Sequence, residues 1–563
     1  MLSARSQLML DRVLLFHEQT KHRSDRYARS LGRMDWGNQP DPFRRYEGAT
    51  LTLLSPTVSE WLAEIEYDSV FTETPAVQAL SRDSMSQFFL HSLSVTAWKE
   101  SGLSRWALRV NPSSGNLHPT EAYLLSGPIE DLYDVPTIAH YDPYYHGLET
   151  RLELSLGEWN QFAGALPEGG FLIGLASIPW REAWKYGERS YRYCQHDIGH
   201  AIACLQVGAR LLGWDVQPLD QFLPEQMDVL MGLQNAVGSE AENGVCLLVV
   251  SPVGSVPKDG VVSLRCTDGF FNGLRSREWM GEPNVLSRRH HHWPILDLIE
   301  EAVAESGHGG SFQTSVDQFG LPQNAVNLPA RASRSATTVI RGRRSAVAFE
   351  GDGRMRIDDF YRLLLMLHPA LTSTWTSLSS TPNFVSLAFF VHRVDGLEPG
   401  LYLLCRADGH YDALVSQLRS NFLWEKPVGC PDEIPFYLLR EGDFAESARL
   451  LSCHQSIASD GFFAVAMLTE FRPALETHGA GLYPRLFWEA GMIGQFMYLE
   501  AEAAGWNATG IGCFLDDGVH QLLGIADDRW QVIYHFTVGK AVVDERLRTI
   551  EAYAHRNPSV MEE

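Results

Sequence analysis

Residues 109–123 read Arg-Val-Asn-Pro-Ser-Ser-Gly-Asn-Leu-His-Pro-Thr-Glu-Ala-Tyr and lie between two apolar segments. Pro112 fixes φ, Gly115 lets the backbone approach a flat ligand, and Ser113, Ser114 and Asn116 supply short hydrogen-bonding side chains with little entropy to lose. Proline, serine, glycine and asparagine also dominate ordinary turns. On these residues alone a plain structural turn and a ligand-binding loop stand level.

A second segment shifts that balance. Residues 181–193, Arg-Glu-Ala-Trp-Lys-Tyr-Gly-Glu-Arg-Ser-Tyr-Arg-Tyr, pack four cationic side chains, three tyrosines and a tryptophan into thirteen positions. Together the two segments resemble the SagB-type flavin-dependent dehydrogenases of the nitroreductase fold, which include the azoline oxidases of peptide natural-product pathways. The resemblance rests on the loop from Pro112 to Tyr123 and on Lys185-Tyr186-Gly187-Glu188-Arg189 running into Tyr191-Arg192-Tyr193. It covers residues 80–260 directly, and the opening Phe16-His17-Glu18-Gln19-Thr20-Lys21-His22 with Asp35-Trp36 is similar to the start of such proteins.

The resemblance implies an FMN-dependent dehydrogenase that oxidises a thiazoline or oxazoline in a ribosomal peptide to the aromatic azole, with oxygen as final acceptor. The azoline peptide is the implied partner, joined by a cyclodehydratase or other peptide-modifying enzymes. A nicotinamide-dependent reductase of small acceptors is the rival enzyme reading, and a non-catalytic scaffold of a peptide-modifying complex is the third. Retention of a full flavin set argues against the scaffold.

Composition bounds these readings. A chain of 563 residues exceeds one core and implies two or three domains. Hydrophobic residues make up 45% and charged residues 20%, the balance of a soluble globular protein, and no apolar run is long enough to span a bilayer. A net charge of −23 argues against nucleic acid or an anionic membrane as partner. Asp11 falls where a secretory signal needs its apolar centre, so a cytoplasmic N-terminal helix is expected. The eight cysteines contain no C-x-x-C, and His290-His291-His292 lacks a second ligand cluster, so neither a disulfide framework nor a metal site is expected.

An internal repeat organises the chain. With a shift of 292 positions, Gly199 falls on Gly491, Asp197 on Glu489, Gly213-Trp214 on Gly505-Trp506, Phe222-Leu223 on Phe514-Leu515, and Leu230 with Gly232 on Leu522 with Gly524. Within each copy the aligned segment opens with a helix, from Ile198, Ile202, Leu205, Ala209 and Leu212 or from Leu486, Ala490, Ile493 and Met497. A later strand follows, over 245–250 or 531–536, and strands are otherwise few. The reading is α+β, with tandem nitroreductase-like domains forming an intramolecular pseudo-dimer. It places an N-terminal extension at 1–75, the first domain at 76–265, a connector at 266–335 with a helix over 295–304, the second domain at 336–550 and a tail at 551–563.

The copies diverge in complementary ways. Arg341-Gly342-Arg343-Arg344-Ser345 precedes a helix over 357–367, and Arg343, Arg344 and Ser345 are similar to the phosphate-gripping Arg-Arg-Ser of nitroreductases. At a helix start such a set would add bidentate bonds to free backbone amides, although an ordinary arginine cluster capping a helix stays open. The first copy offers Leu80-Ser81-Arg82-Asp83-Ser84 there, with an acid beside the phosphate position, and the second offers Leu378-Ser379-Ser380-Thr381-Pro382-Asn383 in place of the intact loop. By resemblance, the cofactor set is Arg109, Pro112, Ser113, Ser114, Gly115 and Asn116 from the first copy. From the second it is Arg343, Arg344 and Ser345, the backbone of Gly510, Ile511 and Gly512 toward the flavin N5 side, and Lys540 completing the phosphate site. One flavin per chain is the expectation.

Lys185 and Tyr186 are the candidate base, because azoline oxidation removes a carbon-bound proton while a hydride leaves for the flavin. A neighbouring ammonium favours tyrosinate electrostatically. Adjacent residues on a regular helix point about 100° apart, so a shared site needs a helix end, which Gly187 permits. A solvated lysine beside an interface tyrosine is the alternative.

Overall fold

The computed structural model describes all residues except 1–2, 74, 237, 256–261, 263, 265–266, 307–330, 370–382, 408 and 557–563. The second copy's segment from Leu378 to Pro382 lies outside the described residues. The chain divides into two compact units. The first comprises Ser30–Pro294, Ser335–Arg341 and Glu545–Glu563, and the second Met1–Arg29, Ile295–Arg334 and Gly342–Asp544.

Helix α1 (Ala4–Gln19) starts at Ser3, whose hydroxyl accepts from the Ser6 amide, and buries Met9, Leu10, Val13 and Phe16 at helical spacing. It belongs to the second unit, where the His17 ring bonds the Tyr483 hydroxyl and the Gln531 side chain, each at 3.2 Å. The Thr-Lys-His segment follows it down: Lys21 pairs with Asp517 at 2.8 Å and the His22 amide donates to Asp516.

The first unit is built on a seven-stranded antiparallel sheet. Its strands are β1 (Thr50–Leu53), β4 (Thr120–Ser126), β5 (Thr137–Asp142), β6 (Gly147–Glu153), β7 (Phe171–Ser177), β8 (Trp214–Pro218) and β9 (Asn243–Pro252), in the order β1-β6-β5-β4-β7-β9-β8. A hairpin of β2 (Val95–Ser101) and β3 (Ser104–Arg109) is extended by the strand Arg548–Glu551, and Trp98 donates to the Ala552 carbonyl at 2.8 Å. Among this unit's helices are α2 (Arg82–Leu90), α3 (Pro179–Tyr186), α4 (Ser190–Arg210) and α5 (Pro224–Met231). Every residue of α4 except Arg210 is buried, and α5 lies over the core formed by Tyr123, Phe162, Leu172, Leu230 and Leu247.

After α6 (Ala336–Gly342), the second unit repeats this plan with α7 (Ile357–Leu367), α8 (Arg472–His478), α9 (Tyr483–Ala503) and α10 (Asp516–Leu523). Its strands β10 (Val385–Val391), β11 (Gly400–Leu404), β12 (Phe436–Glu441), β13 (Phe463–Glu470), β14 (Asn507–Ile511) and β15 (Trp530–Gly539) run in the order β12-β11-β10-β13-β15-β14, all antiparallel. Without β1, the first sheet has the same order, so the sequence repeat is a repeat of fold. The glycines carry it: Gly232 and Gly524 cap α5 and α10 at φ 74° and 86°, a left-handed conformation that other residues adopt only with strain. The helix expected over 295–304 forms as Pro294–Ser306. The expectation of few strands is corrected, since the two sheets hold thirteen between them.

In the second unit, Glu489 of α9 accepts from the amides of Phe384 and Val385 and is balanced by Arg406, 2.6 Å away and fully buried. Arg406 also donates to the Leu367 and Val385 carbonyls at 2.7 and 2.9 Å, tying α7 to β10. Arg406→Met leaves Glu489 buried without its cation and is expected to destabilise this unit by about 3–5 kcal/mol, read from its denaturant midpoint.

Candidate functional site

The loop between β3 and β4 is held by its own polar side chains. Gly115, Asn116 and His118 all have positive φ, at 61°, 60° and 51°. Asn116 offsets that strain through its amide, which donates to the Ala107 carbonyl at 2.9 Å and meets the His118 ring at 3.0 Å. Ser113 accepts from the His118 amide at 2.8 Å, while Ser114 donates from both its amide and its hydroxyl to Asp197 on α4. Arg109 is buried, with its guanidinium over the Phe43 ring and a hydrogen bond to the Pro42 carbonyl; burial lowers its pKa to about 10.

Helix α3 begins with Pro179 and stops at Gly187, whose φ of 54° and ψ of −127° break the spiral before the tight turn into α4. That ending brings two adjacent side chains to one place. A Cβ added to Gly115 would lie 2.7 Å from the Tyr186 hydroxyl and 2.9 Å from the Lys185 ammonium, and the ammonium is 5.1 Å from the Tyr186 ring centroid. Lys185 and Tyr186 thus occupy the space beside Gly115 that the sequence reading left to a flat ligand. Gly115→Ala would press a methyl group against these two side chains at a left-handed φ. It is expected to cost about 1–2 kcal/mol of stability and to displace both side chains, read by thermal unfolding and by loss of turnover in the same preparation.

Buried charges fix α3 to the loop. Arg181 donates to the carbonyls of Asp41 and His118 and pairs with Glu121. Glu121 in turn meets His140 at 3.1 Å, and His140 meets Glu149 at 2.9 Å. Burial alone would raise the Glu121 pKa, but Arg181 and His140 outweigh it and hold the carboxyl near 2. Burial likewise opposes charge on His140, and its bonds to Glu121 and Glu149 prevail, raising its pKa to about 10. The glutamate of the loop motif therefore holds the frame.

Two carboxyl groups missed by the sequence reading lie beneath the loop. Asp197 is buried at 2% exposure and Glu182 at 0%, with Glu182 3.5 Å from the Ser113 hydroxyl. Available signals were the three-residue spacing of Glu182 from Lys185 and the repeat partner Glu489 of Asp197.

In the second unit, Arg343 is buried with its guanidinium 5.0 Å from the Tyr498 ring centroid. The Tyr498 hydroxyl meets the Ser345 hydroxyl at 2.8 Å and accepts from the Gly510 amide at 3.1 Å. Tyr498, also missed, thereby joins the Arg-Arg-Ser segment to β14. Arg344 donates to the Arg343 carbonyl. Burial raises the pKa of Glu502, opposed by Arg334, Arg343 and Arg344. A Cβ on Gly510 would fall 2.0 Å from the Tyr534 hydroxyl, so the glycine makes room for a tyrosine. The Ile511 side chain lies in the core, Gly512 follows the end of β14, and Lys540 pairs with Glu350 at 2.7 Å while half exposed. Two guanidinium groups and the hydroxyl of Ser345 are a donor set that suits a phosphate.

Two expectations are corrected. Arg343–Ser345 follow the end of α6, and α7 starts only at Ile357, so this segment does not open a helix. The counterpart of α2 is α7, since each precedes its central strand and packs on its unit's long helix. Leu80–Ser84 therefore do not match the Arg-Arg-Ser segment. Ser81 and Ser84 form a capping box, and Arg82 donates to the Leu53 carbonyl.

The nitroreductase family model matches residues 441–540. No curated protein matches the sequence. A solved structure described as a nitroreductase of Anabaena variabilis ATCC 29413 is similar over 94% of this chain and 99% of its own, at 21% identity and a TM-score of 0.65. Another so described, from Ralstonia eutropha JMP134, covers 42% of this chain and 92% of its own at 13% identity, with a TM-score of 0.25. The E. coli microcin synthetase McbBCD complex with truncated pro-MccB17 bound covers 44% and 94% at 17% identity, with a TM-score of 0.27. The matching strand orders and the likeness along the whole chain identify a nitroreductase fold, present in two tandem units.

Proposed function

We propose that the chain is an FMN-dependent dehydrogenase that oxidises a thiazoline or oxazoline ring in a peptide to the thiazole or oxazole, with oxygen reoxidising the flavin. The observation that carries this reading is the meeting of Lys185 and Tyr186 at Gly115, because the reaction needs a base beside the ring carbon that loses its proton. The pair is confined to one unit: the positions 292 residues later, on α8, hold Thr477 and His478.

FMN, when bound, supplies the hydride acceptor. The chain's own groups bind, orient and handle the proton. Arg343, Arg344, Ser345 and Lys540 are assigned to the phosphate. Arg109, Pro112 to Asn116 and Gly510 to Gly512 are assigned to the ring and ribityl chain, as the sequence resemblance implies. Tyr186, as the tyrosinate that the neighbouring Lys185 ammonium favours, takes the carbon-bound proton and becomes the neutral phenol.

The test is colour and turnover of the purified protein. A yellow protein that converts an azoline peptide with loss of two hydrogens, without nicotinamide, supports the reading. Bleaching by NAD(P)H with reduction of a nitro compound or quinone, and no azoline turnover, would replace it with the reductase. A colourless, inactive protein would point to a scaffold.

A further inference from the structure

We infer that Tyr498 is a positioning residue for the cofactor phosphate, its hydroxyl linking the Gly510 amide to Ser345 so that the Ser345 hydroxyl proton is left to the phosphate. This rests on the assignment of the phosphate to Arg343, Arg344 and Ser345 given above and is independent of the azoline reaction.

The chain of hydrogen bonds has a fixed direction at both ends. A backbone amide only donates, so the Gly510 N–H gives its hydrogen to the Tyr498 oxygen, at 3.1 Å. A guanidinium also only donates, and Nη1 of Arg343 is directed at the Ser345 oxygen, at 3.5 Å. Between them the two hydroxyls lie 2.8 Å apart. Running the same way, the Tyr498 O–H donates to the Ser345 oxygen, and the serine keeps its own hydrogen for an outside acceptor. Each bond polarises the next, so the last donor is strengthened, and a phosphate offers it only acceptor oxygens. The same tyrosine seats the cation: its ring centroid lies 5.0 Å from the buried Arg343 guanidinium and meets Phe536 edge-on at 4.9 Å. Ser345 is also bridged to Ala508 of β14 through the backbone, so its hydroxyl has little freedom to lose when a ligand binds.

The first unit serves as an internal control. In the ungapped stretch of the repeat, 292 positions earlier, Tyr498 falls on Gln206 of α4 and Gly510 on Pro218 of β8. Proline has no amide hydrogen with which to start the chain, and glutamine has no aromatic face for a guanidinium. Both copies build the same long buried helix and edge strand at this place. The fold itself therefore does not require the tyrosine. Tyr498 and the amide of Gly510 accompany the Arg-Arg-Ser segment, and they are found in the one copy that carries it.

Equilibrium binding of FMN and of riboflavin, which lacks the phosphate, to the flavin-free full-length protein tests the inference. Tyr498→Phe keeps the ring against Arg343 and Phe536. It should weaken FMN about tenfold and leave riboflavin within about twofold of the wild type. Ser345→Ala should do the same, and the double variant should lose little more than the weaker-binding single variant, because both hydroxyls act through one chain. Equal loss of both flavins in Tyr498→Phe would show a merely structural tyrosine and overturn the inference. Wild-type FMN affinity in that variant, or additive losses in the double, would overturn it too. A second measurement needs no variant: in protein with isotope-labelled glycine, the Gly510 amide proton should shift downfield with FMN and stay in place with riboflavin. If Tyr498→Phe fails to fold, this shift decides, and its absence would overturn the inference. A wild-type protein that binds FMN no more tightly than riboflavin would instead remove the phosphate assignment, and the role of Tyr498 with it.

Discussion

Lys185→Ala and Tyr186→Phe are each expected to keep bound FMN and to lose azoline dehydrogenation by about 100- to 10,000-fold, the contribution of a well-placed base. Tyr186→Phe removes one hydroxyl and leaves the ring packed 4.4 Å from that of Tyr193, so its cost to folding should be only about 1 kcal/mol. Lys185→Ala takes away the ammonium beside that hydroxyl. Flavin absorbance per chain and azole product by mass, measured in the same samples, separate the two roles. Wild-type turnover in both variants would remove the base assignment. Flavin loss in step with activity would show that the pair is structural.

Much of this site was legible because it depends on local backbone rules. The left-handed Gly115 and the break at Gly187 are properties of a few adjacent residues, and the glycines at 232 and 524 fix helix ends at equal spacing in both copies. Gly187 in particular allowed neighbouring side chains on α3 to be expected at one point. What stayed hidden depends on pairing across the fold. Strands β4 to β6 carry Glu121, His140, Glu149 and Arg151 at buried positions, so the alternation of apolar and polar residues that marks a strand is lost. Glu121, His140 and Glu149 are tolerable because they pair with one another, and Arg151 because it donates to the Gly281 carbonyl and lies over the Tyr46 ring, contacts that no single segment reveals. The role of α1 was hidden for the same reason, since the partners of His17 and Lys21 lie more than 450 residues away. Tyr498 reads as one more aromatic on a buried helix until Ser345 and Gly510 are seen to meet its hydroxyl.

One flavin per chain is the second expected result, and Arg343→Ala with Arg344→Ala should remove it. Each arginine can give a phosphate charge-assisted hydrogen bonds worth about 1.5–3 kcal/mol, so losing both should weaken FMN by about 100- to 10,000-fold. The sequence comparison set Asp83 beside a phosphate, where repulsion would exclude it. Because α2 corresponds to α7, that acid stands elsewhere, accepting from the Ser59 hydroxyl at 3.2 Å, and Arg82 is engaged with the Leu53 carbonyl at 2.6 Å. The first copy thus offers no Arg-Arg-Ser segment at the matching place, and the missing cations, with no need for repulsion, leave a dianion ungripped. Asn116 enters as the clamp that keeps the loop at its positive φ, through the Ala107 carbonyl and His118. Flavin released by denaturation and counted against protein should give one equivalent. Two equivalents would sink the prediction, as would full retention of flavin in an Arg344→Ala, Asn116→Ala double variant.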